Sequence, residues 1–140
     1  GFDHSSLCLR ILSEKTPAAN ALTVRVLGRA HLEHGGRVHC SEISLRDLEE
    51  LGAKASDIEG LVEILLNTVG VQLSVLLIER DSQVVKLSFR SRHGSGLDVA
   101  ELATTLSPRG GGHARAAGAV LQASLEEAAQ RVHGALKDCL

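Results

Sequence analysis

The stretch that decides the fold is residues 71–91, with the sequence VQLSVLLIERDSQVVKLSFRS. Val71 to Glu79 is a near-continuous aliphatic run, which is typical of a central strand that is buried on both faces. After a polar turn, Val84 to Ser91 alternates apolar and polar side chains, as a strand with one buried face does. The two segments therefore predict a β-hairpin, in which Phe89 faces the core and Arg90 faces the opposite way.

Outside this hairpin, apolar residues at helical spacing and capping residues predict six helices. The helices are Ser6–Ser13, Thr16 to about Glu33, Ser44–Leu51, Ile58–Val69 behind a Ser56/Glu59 capping box, Val99–Leu106 behind Asp98, and a last helix after Ser124. Two further strands are predicted at Arg37–Ile43 and Ala119–Ala123. Alternating strands and helices indicate an α/β fold with a central mixed β-sheet of about four to five strands flanked by helices.

A glycine pair after His34 predicts the only internal boundary. Residues 1–35 are interpreted as a helical linker arm, and residues 36–140 as the main domain. The chain has 140 residues, of which 44% are hydrophobic, enough to bury a real core.

Charge and aromatic content exclude some classes of function. The net charge is −2, the wrong sign for a sequence-independent binder of long duplex nucleic acid. Phe2 and Phe89 are the only aromatic residues, too few for a surface that stacks many bases. Any nucleic acid bound here is therefore expected to be held mainly by its phosphates.

The cysteines and the apolar segments indicate the cellular compartment in which the protein is expected. Cys8, Cys40 and Cys139 are odd in number and far apart, which argues against a disulfide framework or a zinc ribbon and favours reduced thiols in a cytoplasmic protein. No apolar run approaches the length of a bilayer span, and no secretory leader opens the chain, so no membrane partner is predicted. Three histidines at 31–39 lack a matched carboxylate or cysteine spacing, and no metal site is predicted in this chain.

The main candidate for chemistry is the turn SPRGGGHARAAG at residues 107–118. Its glycines remove every Cβ from the backbone leading into a predicted small-residue helical turn, so that N–H groups and a positive helix end can close on an anion. His113 and Arg115 would stand at the rim. The spacing alone leaves open a flexible loop, and it matches neither Walker A nor the dinucleotide fingerprint. The three glycines are Gly110, Gly111 and Gly112.

A second basic cluster, RSRHGSG, begins at Arg90 at the end of a strand. Arg90 and Arg92 flank Ser91 at alternate positions and should point the same way, where a strand end running into a loop can bind ligand groups. The alternative for either arginine alone is a solvated strand edge. Two basic clusters in one small domain favour a shared phosphate site, and Arg90, Ser91, Arg92 and Arg115 are predicted to bind phosphate there together with the residues of the glycine turn. No catalytic triad is recognisable, and no catalytic residue is predicted in this chain.

Taken together, the Gly110–Gly118 run, the Leu87–Arg92 segment and Leu97-Asp98-Val99 resemble the DHH-associated domain of the first type. The likeness extends over about Arg25 to Leu136. It is nearest to bacterial enzymes that degrade very short RNA or dinucleotides and dephosphorylate 3'-phosphoadenosine 5'-phosphate.

The resemblance implies a DHH-type phosphoesterase with two domains around a cleft. An amino-terminal DHH domain would bind two divalent metals, usually manganese, and this carboxy-terminal domain would hold a short RNA, a dinucleotide or 3'-phosphoadenosine 5'-phosphate. By the same resemblance, His113 and the backbone of Gly111 and Gly112 would contact the phosphate near the scissile bond. Arg90 and Arg92 would grip the terminal phosphate or base.

The chain also departs from the family pattern. Its only Asp-His pair, Asp3-His4, is followed by a serine rather than a second histidine, so the chain is not expected to hydrolyse substrate alone. Pro108-Arg109 stands where relatives have a glycine-rich approach. Two alternatives are a tRNA-binding or oligomerising appendage like the end of alanyl-tRNA synthetase, and a self-sufficient phosphatase using His113. An arm at Leu7–Leu32 without its partner domain would favour a homodimer.

Overall fold

A six-stranded mixed sheet forms the centre of the molecule. The computed structural model describes residues 14–140, so the predicted helix Ser6–Ser13 lies outside the described residues. Strand order is β1-β2-β3-β4-β6-β5, with β2 and β3 parallel and the other neighbours antiparallel. The strands are β1 (His31–Glu33), β2 (Val38–Ile43), β3 (Leu73–Asp81), β4 (Val84–Ser91), β5 (Gly111–His113) and β6 (Ala116–Leu121). The predicted α/β class is confirmed, with a slightly higher strand count than expected.

Five α-helices flank the sheet in the described residues. They are α1 (Pro17–Arg29), α2 (Leu45–Leu51), α3 (Leu61–Leu66), α4 (Val99–Leu106) and α5 (Leu125–Cys139), with short 3₁₀ turns at His34–Gly36 and Ala55–Asp57. The predicted caps Thr16 and Asp98 both accept hydrogen bonds from the first turn of their helices. Within residues 14–140, no helix combines the length and the apolar character that a membrane crossing requires.

The hydrophobic core has two halves, one on each face of the sheet. On one face α4 and α5 pack against β4 and β6, around the fully buried Phe89 and Leu87. On the other face α1 and α3 pack against β2 and β3, around Leu22 and Leu76. Because β3 lies between the two halves, both of its faces are buried, which explains its near-continuous aliphatic run.

Two predicted helices were wrong in extent. The helix expected to run to about Glu33 ends at Arg29, because Ala30 adopts an extended conformation and residues 31–33 pair with β2. The helix expected at Ile58–Val69 spans only Leu61–Leu66.

The expected Ser56/Glu59 cap of that helix is replaced by a different local structure. The Asp57 carboxylate accepts hydrogen bonds from the Lys54 N–H at 2.8 Å and from Thr16 Oγ1 at 2.6 Å. These contacts fix a 3₁₀ turn, and Gly60, with φ of +86°, then separates the turn from α3.

Candidate functional site

A row of paired residues crosses the sheet and ends in the predicted site. In strand order the row consists of His39, Ser74, Arg90, Ala116 and His113. Directly paired residues project to the same face of a sheet, so all five lie on the face that carries α1 and α3. His39 and Ser74 are buried beneath α3, whereas Arg90 is half-buried and His113 is exposed.

Within residues 14–140, the helices do not extend over the far end of this face. We call the surface of β4, β6 and β5 on this side the open face; it is formed by Lys86, Ser88, Arg90, Ala116, Gly118, Val120 and His113. Its side chains are exposed or half-buried, and Val120 is 50% exposed. Between Arg90 and His113 the surface is lined by alanine and glycine, which leaves room for a ligand close to the backbone.

The glycine turn forms a β-hairpin, contrary to the expected helical turn. Gly111–His113 pairs with Ala116–Gly118 in antiparallel register, and residues 114–115 form the tight turn between them. The predicted strand Ala119–Ala123 is correspondingly displaced to Ala116–Leu121. The glycines lead directly into β5 and not into a helix, so within residues 14–140 no helix N-terminus directly follows them to bind an anion. The edge position of β5 instead offers backbone N–H groups outside the sheet.

Two of the three glycines are required by close packing. A Cβ on Gly110 would lie 2.2 Å from the Ala103 carbonyl oxygen, and a Cβ on Gly112 would lie 2.6 Å from that of Ala116. Gly112 also has a φ of +145°, which L residues rarely adopt. Gly111 has no atom within 4 Å of an added Cβ. Gly110 and Gly112 therefore allow β5 to approach α4 and β6.

Ser91 anchors the hairpin turn from the opposite face of β4. It is 4% exposed, its Oγ donates to the Ala114 carbonyl at 3.0 Å, and its N–H donates to the Arg115 carbonyl at 3.0 Å. The same Ala114 carbonyl accepts from the Val99 N–H at 2.9 Å. The structure thus places Ser91 as a support of the turn, apart from the surface that Arg90 shares with His113.

The two predicted arginines both contact α3 or its exit. Arg90 donates from Nε to Glu63 Oε1 at 2.8 Å, and its side chain keeps 28% exposure. Arg92 donates to the carbonyls of Leu66 and Val71, at the end of α3 and just before β3. These bonds hold both guanidiniums on the α3 side of the sheet, as the alternation predicted.

The structure brings the two predicted basic clusters together. Arg115 Nη1 lies 3.1 Å from His93 Nδ1, which joins the hairpin turn to the loop after β4. Sequence reasoning missed Glu63, the acid that pairs with Arg90. Glu63 lies 27 residues before Arg90, and no local pattern signals a pair that depends on how α3 packs against β4.

Side chains that could bind a metal ion are clustered away from the open face. Within the described residues, the one group of three or more potential ligands lies on β1 and β2, at the other edge of the sheet. The open face has no such group, so the donor set there does not fit the paired metals that the resemblance implies for a DHH domain.

Family comparison agrees with this architecture. The DHHA1 domain family matches residues 25–139, and the chain belongs to that family. No curated protein matches the sequence significantly.

Several solved structures are similar to this chain at low sequence identity, and the first two below share its fold. An exopolyphosphatase-related protein from Bacteroides fragilis is similar with a TM-score of 0.84 and 23% identity, over 99% of this chain and 39% of that protein. A pGpG-specific phosphodiesterase, PggH, from Vibrio cholerae is similar with a TM-score of 0.57 and 17% identity, over 85% of this chain and 37% of that protein. The C-Ala domain of Aquifex aeolicus alanyl-tRNA synthetase gives 0.48 and 16%, over 71% of this chain and 89% of that domain. This chain thus spans about two fifths of the first two proteins.

Proposed function

We propose that this chain is the substrate-binding domain of a DHH-type phosphoesterase and that its open face binds a nucleotide phosphate. The observation that carries the proposal is the shared row of Arg90, Ala116 and His113 across three neighbouring strands. A guanidinium and an imidazole then flank a surface without bulky side chains. Guanidinium groups recognise phosphate oxygens through charge-assisted hydrogen bonds.

The edge strand β5 would supply further donors to the same phosphate. Its backbone groups on the outer side are free of sheet pairing in the described fold, and Gly111 and Gly112 carry no side chain to block an approach. Arg115 stands at the turn, beside His93, and adds a second cation within reach of an extended ligand. We propose Arg90, Arg92, Gly110–Gly112, His113 and Arg115 as the phosphate-binding set.

We further propose that the chemistry belongs to an amino-terminal DHH domain that binds manganese, and that this chain alone is inactive. The chemistry supplied by such a metal pair is activation of water and stabilisation of the leaving oxygen. This chain's residues would bind and orient the substrate. A lone imidazole at His113 supplies only part of what phosphoryl transfer needs.

For the ligand we propose a short nucleotide with an exposed phosphate: a short RNA, a dinucleotide or 3'-phosphoadenosine 5'-phosphate. Support comes from the absence of an aromatic stacking surface, since Phe89, the one aromatic residue among residues 14–140, is fully buried. A ligand that is held through its phosphates can be short, because it does not depend on the stacking of several bases. The net charge of −2 is also compatible with a small ligand in a local basic site.

The test is a titration of the isotope-labelled chain followed by amide chemical shifts. With 3'-phosphoadenosine 5'-phosphate or a 5'-phosphorylated RNA dinucleotide, we expect shifts at Gly110–Arg115 and Arg90–Arg92. Arg90→Gln should weaken binding about tenfold or more, since a hydrogen bond to a charged group contributes about 1.5–3 kcal/mol. Arg80→Gln, at an exposed position near the end of β3, is the matched control and should bind normally.

Other outcomes would contradict the proposal in distinct ways. No shift at millimolar ligand would remove the proposed nucleotide site. Binding of full-length tRNA without any response to dinucleotides would favour the synthetase-like appendage. Manganese-dependent phosphate release that persists through purification and disappears in His113→Ala would establish a self-sufficient phosphatase.

We also propose that the isolated chain forms a homodimer through its first helix. Val24 and Leu27 lie one turn apart on α1 and are 72% and 44% exposed. Sedimentation analysis should show a dimer that Val24→Ser with Leu27→Ser converts to monomer. A monomer at all concentrations would contradict it.

A further inference from the structure

A second cluster of reactive side chains lies at the edge of the sheet farthest from β5. His31 and Glu33 on β1 and Cys40 on β2 each offer one ligand atom, and these three atoms lie within 4.8 Å of one another. His31 pairs directly with Cys40, and Glu33 pairs with Val38, so all three side chains project to the face covered by α5. Three residues separated by up to nine positions thus converge on one point.

The helix α5 adds a fourth donor to this cluster. His133 Nδ1 lies 3.3 Å from Glu33 Oε2, and His31 Nε2 lies 3.0 Å from Glu33 Oε1. The Glu33 carboxylate therefore bridges two imidazoles that are about a hundred residues apart in the chain. A cavity of about 190 Å³ opens beside them, lined by all four of these side chains.

A neighbouring polar atom is left without a partner. His34 Nε2 is buried and makes no hydrogen bond within the described residues, and the His34 ring centre lies 6.4 Å from that of His133. Buried polar atoms in native proteins are nearly always paired, and an unpaired one calls for an explanation such as an ion nearby. A nitrogen beside the cluster is thus left unused by hydrogen bonds and could interact with a bound cation.

We propose that His31, Glu33, Cys40 and His133 bind one zinc ion. Two imidazoles, one thiolate and one carboxylate are the ligand types that zinc takes in tetrahedral sites. In such a site the ligand atoms are separated by about 3.3–3.8 Å, given Zn–N and Zn–S bonds near 2.0–2.3 Å. The atoms of His31, Glu33 and Cys40 lie within 4.8 Å of one another, and His133 Nδ1 lies 3.3 Å from Glu33 Oε2, so the proposed site requires these side chains to rotate toward that spacing. Manganese prefers oxygen donors and would bind this set poorly.

The Cys40 thiol must lose its proton to bind zinc. Burial, together with the nearby Glu33 carboxylate, raises the pKa of the Cys40 thiol to about 12. Without a cation this thiol stays protonated at neutral pH and is inert. A zinc ion compensates both the buried thiolate and Glu33, and releases one proton on binding.

The zinc ion would have a structural consequence. It would join β1, a three-residue edge strand, to α5, which packs across the sheet. The site is separated from β5 by the width of the sheet, roughly 24 Å at about 4.8 Å per strand, and lies on the other face. Zinc binding and nucleotide binding are therefore separate properties, and one can fail without the other.

The experiment is a cobalt and zinc titration of the full chain, kept reduced and first freed of metal with a chelator. We expect one cobalt ion per chain, with a thiolate charge-transfer band in the near ultraviolet and strong visible bands of a tetrahedral site. Zinc should displace cobalt and abolish the charge-transfer and visible bands, with a dissociation constant below about 1 μM. It should also raise the midpoint of thermal unfolding, since structural zinc stabilises the folded state by binding to it. Manganese should do neither.

Matched variants assign the ligands. Cys40→Ser should remove the charge-transfer band and weaken zinc binding by about a hundredfold or more, beyond the range seen for residues that only orient a ligand. His133→Asn and Glu33→Gln should weaken it similarly and, because His133 is 57% exposed, at least the first should fold normally. Cys139→Ser and Glu126→Gln, both at exposed positions of α5, are the controls and should bind like the unchanged chain.

Several results would overturn the zinc site. These are the absence of a thiolate band in the folded chain, a band retained in Cys40→Ser, or unchanged affinity in His133→Asn. If Cys40→Ser fails to fold by circular dichroism, the His133→Asn and Glu33→Gln affinities decide the question.

Discussion

Arg90 Nε donates a hydrogen bond to Glu63 Oε1 at 2.8 Å, which joins β4 to α3 at the border of the open face. Arg90 Nη1 also donates to the Phe89 carbonyl at 2.8 Å, so the guanidinium is fixed at two points. Glu63 remains 42% exposed. The carboxylate therefore orients the arginine and at the same time offsets the positive charge that a phosphate would meet.

Replacing Glu63 separates these two effects. Glu63→Gln keeps an oxygen acceptor for Arg90 but removes the negative charge, so phosphate ligands should bind up to about fivefold more tightly, as expected from exposed ion pairs of about 0.2–1 kcal/mol. Calorimetric titration at two salt concentrations measures this. Glu59→Gln, which is exposed and outside the ion pair, should leave the affinity unchanged. Weaker binding by Glu63→Gln would mean that orientation of Arg90 matters more than its net charge.

Gly111 and Gly112 are neighbours in β5, and replacing each by alanine tests which of them must be a glycine for the strand to pack. Gly112→Ala should destabilise the fold by about 1–3 kcal/mol, because the added Cβ meets the Ala116 carbonyl and φ is unfavourable. Gly111→Ala finds open space and should be neutral or stabilising by up to about 1 kcal/mol. Urea denaturation of the two variants checks this; equal losses would show that the hairpin relaxes around either methyl group.

Local signals predicted the elements whose limits are set within the chain segment itself. α4 begins after Asp98 and spans Val99–Leu106, as its cap and apolar spacing indicate. The β3–β4 hairpin follows from the aliphatic run and the alternation after it. In both cases the residues that determine the structure are close in sequence, so pattern analysis suffices.

Elements that depend on distant partners could not be predicted in this way. β1 and β5 have three residues each and become strands only by pairing with β2 and β6. The same limit applies to the site: Arg90 and His113 were both selected from sequence, but their common face follows from the strand order β4-β6-β5. That Cys40 on β2 and His133 on α5 line one cavity has no local signal either.

Acid should destabilise the contact between α1 and α2. Hydrogen bonds from Arg29, then from Ser44 and Arg25, hold the pKa of the buried Asp47 well below its usual range. A carboxylate with a lowered pKa in the folded state contributes stability that is complete above the unfolded pKa of about 3.9 and is lost as pH falls below it. Urea midpoints measured from pH 7 down to the acid limit should therefore decline steeply below about pH 4.

The variant Asp47→Asn tests the source of that decline. At neutral pH it should lose about 1.5–3 kcal/mol, the range for hydrogen bonds to a charged group, and its stability should depend less on acid. The exposed Asp138→Asn is the control and should keep the full acid dependence. An unchanged acid profile in Asp47→Asn would assign the decline to other carboxylates.

Ser91 distinguishes support of the turn from contact with ligand. Its hydroxyl donates to the Ala114 carbonyl from the side of β4 opposite to Arg90, so Ser91→Ala should cost about 0.5–1.5 kcal/mol of stability and speed amide exchange at Arg115. Since Val99 N–H still holds the same carbonyl, the turn should persist and nucleotide affinity should change less than about twofold. Denaturation, hydrogen exchange and calorimetry on one sample separate the effects. A tenfold loss of affinity with unchanged stability would instead make Ser91 a direct ligand contact, because a merely supporting hydroxyl acts through the stability of the turn.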